Sequence, residues 1–481
     1  MVGSRIVGPD LIESPGHGHS RAPPSPQEYG AVGAALIIVD IGNRIANLGN
    51  VASRGPAGGS RKAPYGNRGI PVPADRRWLA VLQWLFAGVI ADLFHVPELN
   101  IVSRVLAFIM FANAFNLVAE AVLSRNLKFK VSSTANLTAW ILANVGLAIP
   151  LAYLGLSYWA LVIAAMAEAI FLSGIYLITA RRYLAKPRFD LQSYREIHKQ
   201  SLGYSLAGVS DFGAQYIDKI IVARLVGTTD LGIYTRAFIL ITIPAILFGN
   251  LSRTVVFPLL SKVQTDEARL RTAQLKGHAL TAALTLPTSA FLCCFSKEIV
   301  LTIFGPKWID AVVPIAVFSA AIYFRVGFKV CGAVMLATGR SYRSASMQIV
   351  NAALVTSFAF FAAPYGVSAV AAAVSGAILM SFVLYSVISC RITELSFVDF
   401  VLVHIPPIAF AAVIYATGFA VRMLFAGLPH YLVLAVGAFV IGTLSAVTVY
   451  LRASLLFGKY GVDVLQTVAP KKAAWPKWIP S

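Results

Sequence analysis

The residues able to do chemistry sit inside stretches that are otherwise apolar. The densest group lies in 201–226, where Tyr204, Asp211, Gln215 and Asp218 fall seven, four and three residues apart, with Lys219 alongside. On a helix that spacing makes one polar stripe, and it leaves Leu206, Phe212, Ile217 and Ile221 for the opposite side. Such a stripe lines a water-filled cleft or packs on a polar partner helix. The competing reading is a buried pair of Asp218 with an Arg or Lys. Glu168 lies at the centre of 157–179, Arg236 near the start of 231–256, and Arg325 with Lys329 deep in 311–337. An ionisable group in such a setting costs several kcal/mol unless it faces a cavity or a partner, so each is a functional candidate. Arg325 and Lys329 are one helical turn apart and can reach a single anion; the alternative is pairing with Asp211, Asp218 or Glu168. Arg104, Arg253 and Arg422 are near span ends, where snorkelling to the interface is expected.

Catalytic machinery is not legible. The chain has no Walker loop, HExxH, GxSxG or pair of loop carboxylates. Cys293, Cys294, Cys331 and Cys390 lack metal-ligand spacing and read as small core hydrophobes, and the histidines are scattered. No catalytic residue, metal or cofactor is expected.

The elements that must position these groups are membrane helices. Of 481 residues, 58% are hydrophobic and 13% charged, with mean hydropathy +0.73, whereas soluble domains are about a quarter charged. Apolar runs of about 20 residues recur, and about thirteen spans are expected. The net charge of +19 is distributed as topology rather than as a nucleic-acid face. Loops 52–77, 124–133, 180–200, 253–277, 338–346 and 391–402 and the tail from 452 hold more than half of the 40 Lys and Arg residues. The turns between them, such as Gly227 to Asp230 and Pro364 to Gly366, are nearly free of both. The positive-inside rule therefore puts the basic loops and the C-terminus in the cytoplasm. It also puts residues 1–29 outside, unless the first span does not cross or a preceding helix is missing. The outward turns are too short to hold an enzyme's catalytic loop, which disfavours a membrane polymerase or ligase.

A weak internal repeat is present. Gly30 and Ala35, opening the first span, echo Gly232 and Ala237, and Gly155-Leu156-Ser157 echoes Gly366-Val367-Ser368. Repeats in the same orientation point to two transporter lobes related by an axis along the membrane normal.

Several motifs occur together: Ser25 to Gly30 (SPQEYG), Leu123 to Lys130 (LSRNLKFK), Phe304 to Trp308 (FGPKW), and a run holding Asp218, Gly227, Leu231, Gly232, Tyr234 and Ala237. As a set over about 25–53 and 91–452, the sequence resembles the polysaccharide transporter (Wzx-like) family of the multidrug/oligosaccharidyl-lipid/polysaccharide (MOP) flippase superfamily. The resemblance implies an all-α polytopic protein of fourteen helices, two six-helix lobes plus a C-terminal pair, with the first helix missing here. The expected division is a polar tail (1–29), an incomplete N-terminal lobe (30–190), a C-terminal lobe (191–395), the extra helix pair (396–455) and a basic cytoplasmic tail (456–481). It further implies an inner-membrane carrier for polyprenyl-diphosphate-linked oligosaccharide units in exopolysaccharide or lipopolysaccharide biosynthesis. Its partners would be the bilayer and a polymerase and export machinery, with no nucleic acid. The rival reading is a multidrug or cation antiporter of the same superfamily.

Overall fold

The computed structural model describes residues 25–47, 81–94, 98–125, 128–156, 158–180, 216–251, 260 and 266–468. Among these the chain is all helix and turn, with no strand. Among the described residues, eight helices are long and apolar enough to cross a bilayer. This is a polytopic all-α membrane protein. Helical spans leave no backbone donor unpaired in the hydrocarbon, which is what a bilayer requires.

α1 (Pro26–Asn47) begins on a reciprocal cap. The Ser25 backbone N–H donates to Glu28 Oε2 (2.7 Å), and the Glu28 N–H donates to Ser25 Oγ (3.4 Å), with Pro26 at the first helical position. The SPQEYG motif is thus a helix start. A short α2 (Ala87–Phe94) leads to α3 (Glu98–Arg125). α4 (Phe129–Trp140) then passes through a π-helical stretch (Ile141–Ala148) into α5 (Ile149–Tyr153). Pro150 is accommodated by this change of helical register just before it. α6 (Tyr158–Ala180) packs on α3, where Asn116 Nδ2 donates to the Ala169 carbonyl (3.2 Å) and Ser173 Oγ to Asn116 Oδ1 (2.8 Å).

A helical segment from residue 216 runs into a second π stretch (Val222–Val226) and turns at Gly227 into α7 (Thr228–Leu251). Next come α8 (Glu267–Cys294), α9 (Ser296–Ile303), α10 (Val312–Ala320) and α11 (Ile322–Ala337). α12 (Ser341–Ala362), α13 (Val367–Thr393), α14 (Phe397–Leu402), α15 (Ile405–Leu424) and α16 (His430–Val468) complete the chain. α8 starts at Glu267, capped by Asp266, and the helix breaks at Phe295. The span at 311–337 is likewise two helices, meeting at Ala321. Gly155 (φ 82°) and Gly366 (φ 88°) supply the positive φ that their turns require.

α15 and α16 are seated on α8. The Phe295 ring fills notches at Gly418 and Gly437, where an added Cβ would come within 2.9 and 2.3 Å of it. Arg422 does not snorkel. Its Nε donates to Glu298 Oε1 and one terminal nitrogen to the Cys294 carbonyl, both at 2.9 Å, because the Glu298 side chain is 8% exposed and needs a partner there. Arg104 instead lies over the Trp84 ring at 5.1 Å. Glu298→Gln is expected to lower the thermal unfolding midpoint of the purified protein, and Glu298→Gln with Arg422→Met to recover most of the loss. Removing one partner of a buried pair costs about 3–5 kcal/mol, whereas replacing both is often near neutral.

Candidate functional site

Helical periodicity gives α7 two working faces. Gly232 and Arg236 are four residues apart on one side, and Tyr234 and Phe238 are four apart on the other.

The first face meets α1. A Cβ on Gly30 would lie 1.7 Å from the Thr228 carbonyl oxygen, and one on Gly232 would lie 1.9 Å from the Pro26 carbonyl oxygen. The two helix starts therefore touch backbone to backbone, reciprocally, which only glycine allows. The paired glycines of the internal repeat are the two sides of this contact. It places Ser25 to Gly30 beside the Gly227–Asp230 turn, the side that the charge rule assigns to the exterior. One turn further in, the Arg236 guanidinium lies 3.6 Å from the centroid of the Tyr29 ring, which packs edge-on to Trp308 at 5.4 Å. Trp308 is buried and in contact with Phe304. Residues from three separate motifs, SPQEYG, LGxYTR and FGPKW, thus converge on one closure.

The second face of α7 holds the charges. Tyr234 Oη donates to Asp218 Oδ2 at 2.7 Å, and both residues are buried. Asp218 Oδ1 is buried with no hydrogen-bond partner, so the carboxylate depends on nearby positive charge. Arg325 is within electrostatic reach of that carboxylate, and Lys219 shares a ring with Arg325. Lys219 Nζ lies 4.7 Å from the Phe238 centroid and 4.7 Å from that of Tyr216, and Arg325 Cζ lies 4.3 Å from that of Phe238. Each such contact contributes about 0.5–2 kcal/mol. Phe318 closes the group, edge-on to Tyr234 (5.2 Å) and Phe238 (5.4 Å). Asp218 and Arg325 are within electrostatic reach but form no ion pair, so the expected structural pair is not made with Arg325.

Asp218, Lys219 and Arg325 are therefore brought together, while Arg236 belongs to the neighbouring closure. Lys329 is exposed whereas Arg325 is half-buried, so their one-turn spacing leaves them in different surroundings. Glu168 is elsewhere: its Oε2 accepts from Asn144 Nδ2 (2.9 Å), and Asn144 lies within the first π stretch. Asp211, Gln215 and Tyr204 lie outside the described residues. Sequence reasoning missed Phe238 as the ring between the cations. The signal available was its i, i+4 spacing from Tyr234.

A family model described as "Polysaccharide biosynthesis protein" matches residues 78–313. The succinoglycan biosynthesis transport protein ExoT of Rhizobium meliloti (strain 1021) is 24% identical over 285 residues, covering 59% of this chain and 57% of that one. The teichuronic acid biosynthesis protein TuaB of Bacillus subtilis (strain 168) is 25% identical over 320 residues, covering 65% and 62%. The chain thus spans about three fifths of the length of these relatives. In fold it is similar to the lipid II flippase MurJ in an inward closed conformation, with TM-score 0.61, 14% identity, and coverage of 87% of this chain and 97% of that one. An inward-facing multidrug resistance MATE family transporter of the MOP superfamily gives TM-score 0.57 at 15% identity, covering 77% and 92%. The resemblance to polysaccharide biosynthesis transporters is borne out in sequence, and the likeness to the two solved transporters is one of fold.

Gly232→Val is expected to prevent the close approach of α1 and α7. In a background without the native cysteines, cysteines at Gln27 and Thr229 should cross-link readily in the parent and at least tenfold more slowly in the Gly232→Val variant. Equal cross-linking in both would contradict the contact.

Proposed function

We propose that this chain carries polyprenyl-diphosphate-linked oligosaccharide units from the cytoplasmic to the outer leaflet by alternating access, in the synthesis of a surface polysaccharide. A multi-pass helical protein of a bacterium resides in the inner membrane, since outer-membrane spans are barrels. The observation that carries the reading is the pair of cations, Lys219 and Arg325, about the Phe238 ring beside Asp218. A diphosphate is an anion with many acceptor oxygens, and Arg and Lys meet it by charge-assisted hydrogen bonds. In the absence of substrate, the ring and the Asp218 carboxylate keep the two like charges in place. Diphosphate would take over from the carboxylate.

The α1–α7 contact supports the same reading, because it closes one end of the molecule by backbone proximity. We assign residues 30–190 and 191–395 as the moving lobes and 396–455 as an appended pair, with α1 and α7 at the seam. Arg236 would act at the seam, and the exposed Lys329 in drawing the anion toward Arg325, one helical turn away. Glu168 with Asn144, Asp211 and Gln215 would offer polar contacts to sugars. The relatives are named for transport and biosynthesis, and the chain is a carrier rather than an enzyme. A polymerase and an export assembly would then act on the delivered units. The antiporter reading draws on the transporter neighbour and on the buried Asp218 carboxylate. The basic character of the cluster favours an anionic substrate.

In a strain lacking the native gene, complementation with Lys219→Ala or Arg325→Ala is expected to leave lipid-linked units accumulated on the inner leaflet at normal protein level. Arg325→Lys, which keeps the charge but loses the planar fork, should transport partially. Normal transport by both alanine variants would overturn the anion site. Export of a cationic dye, abolished by Asp218→Asn, would favour the antiporter.

A further inference from the structure

Apart from the charged cluster, a cleft of about 310 Å³ opens where α13 ends and α14 begins. That volume is at the lower end of the roughly 300–1,000 Å³ usual for small-ligand sites. Its lining divides by chemistry. Val387, Cys390, Leu395 and Phe397 supply apolar wall, while Arg391 and Glu394, three residues apart, supply one charge of each sign.

The cleft exists because the chain turns sharply after Thr393. Glu394, at φ 51° and ψ 31°, is the one non-glycine residue with positive φ among the described residues. A side chain takes up that conformation when its surroundings hold it there. Here the Leu395 N–H donates to the Cys390 carbonyl (2.9 Å), and Leu395 itself is buried in one apolar cluster with Phe400. From α8, Arg271 Nε donates to the Thr393 carbonyl (2.8 Å) and a terminal nitrogen of Arg271 to Glu394 Oε2 (2.9 Å). The turn is pinned from a neighbouring helix, so the cleft is preformed.

The two charges on the cleft are not equally engaged. Arg391 is exposed and makes no ion pair among the described residues. Glu394 gives Oε2 to Arg271, whose same terminal nitrogen lies 3.7 Å from Glu267 Oε2, so one cation is shared between two carboxylates. Glu394 Oε1 makes no hydrogen bond among the described residues. The cleft therefore offers a cation and a carboxylate oxygen beside apolar wall.

Its position says what meets it. Val367–Thr393 and Phe397–Leu424 are both long and apolar enough to cross a bilayer, and the cleft lies where the first ends and the second begins. That is the level of lipid headgroups. Phe397, Val398, Val401 and Leu402 of α14 are all exposed, an apolar surface beside the cleft that acyl chains would cover. The charge rule assigns the segment 391–402 to the cytoplasmic side. We propose that the cleft binds a zwitterionic phospholipid of the cytoplasmic leaflet whose headgroup carries a phosphate and a primary ammonium, as in phosphatidylethanolamine. The phosphate meets Arg391 by charge-assisted hydrogen bonds, and the ammonium, two carbons away, donates to Glu394 Oε1. The glycerol end of the acyl chains lies on Val387, Cys390, Leu395 and Phe397. A choline headgroup has no N–H to give Glu394, and a glycerol headgroup has no cation at all. This inference does not depend on what the protein transports.

The test is native mass spectrometry of the full-length protein, delipidated in detergent and given an equimolar mixture of dioleoyl phosphatidylethanolamine, phosphatidylcholine and phosphatidylglycerol. The first bound lipid should be phosphatidylethanolamine, favoured over each of the others by about fivefold, the size of one exposed charged contact. Glu394→Gln should bring phosphatidylethanolamine and phosphatidylcholine to equal retention. Arg391→Ala should lower the retention of both, and Arg391→Lys should restore most of it. Val387→Trp, which fills the apolar wall and leaves both charges, should abolish the selective adduct while the protein stays monodisperse. Equal retention of the three lipids by the wild type would overturn the proposal, as would a preference for phosphatidylglycerol. A phosphatidylethanolamine preference unchanged in both Arg391→Ala and Val387→Trp would place the lipid elsewhere and overturn it as well.

Discussion

The backbone contact between α1 and α7 is the constraint on which the rest of the arrangement depends. Helix axes approach this closely only where both facing residues lack a Cβ, and Gly30 and Gly232 meet the requirement reciprocally. The consequence passes along α7 by periodicity alone. With Gly232 turned to α1, Arg236 is set on Tyr29, while Tyr234 and Phe238 are turned to Asp218, Lys219 and Arg325. The closure and the charged cluster are two faces of one helix. In the proposed carrier a movement that separates α1 from α7 cannot leave the cluster undisturbed, and an anion taken up by the cluster bears on the closure.

Energetically the two faces differ in kind. The closure is held by packing and by an arginine over an aromatic ring, which can be broken and remade without exposing an unpaired charge. The cluster is a buried carboxylate with one oxygen satisfied by Tyr234 and the other reliant on neighbouring cations. Such a group is costly to strip of its counter-charge. It is therefore suited to respond to a ligand that competes for those cations. Arg422 with Glu298 and the Cys294 carbonyl, and Phe295 in its glycine notches, hold α15 and α16 to α8.

Much of this was legible in the sequence. Composition and the recurrence of apolar runs set the helical membrane class, and the charge alternation predicts a sidedness. The repeat pairing Gly30 with Gly232 turned out to name a physical contact. The cation candidates Lys219 and Arg325 were visible because charge inside an apolar run is conspicuous. What was not legible depends on contacts between residues far apart in the chain. Phe238 is one apolar residue among many until Lys219 and Arg325 are placed about it. Arg422 was assigned to the interface because its partner, Glu298, lies beyond the break at Phe295 that the apolar pattern did not show.

The central claim is that the α1–α7 contact opens and closes as the cluster exchanges its carboxylate for a substrate anion. It is tested most directly by measuring the distance between spin labels at Gln27 and Thr229, both exposed, in the full-length protein reconstituted in lipid. Without substrate the account expects a single short distance. With a polyprenyl-diphosphate oligosaccharide it expects a second, longer population, which Lys219→Ala with Arg325→Ala should abolish. One unchanged distance at saturating substrate in a transport-competent protein would contradict it.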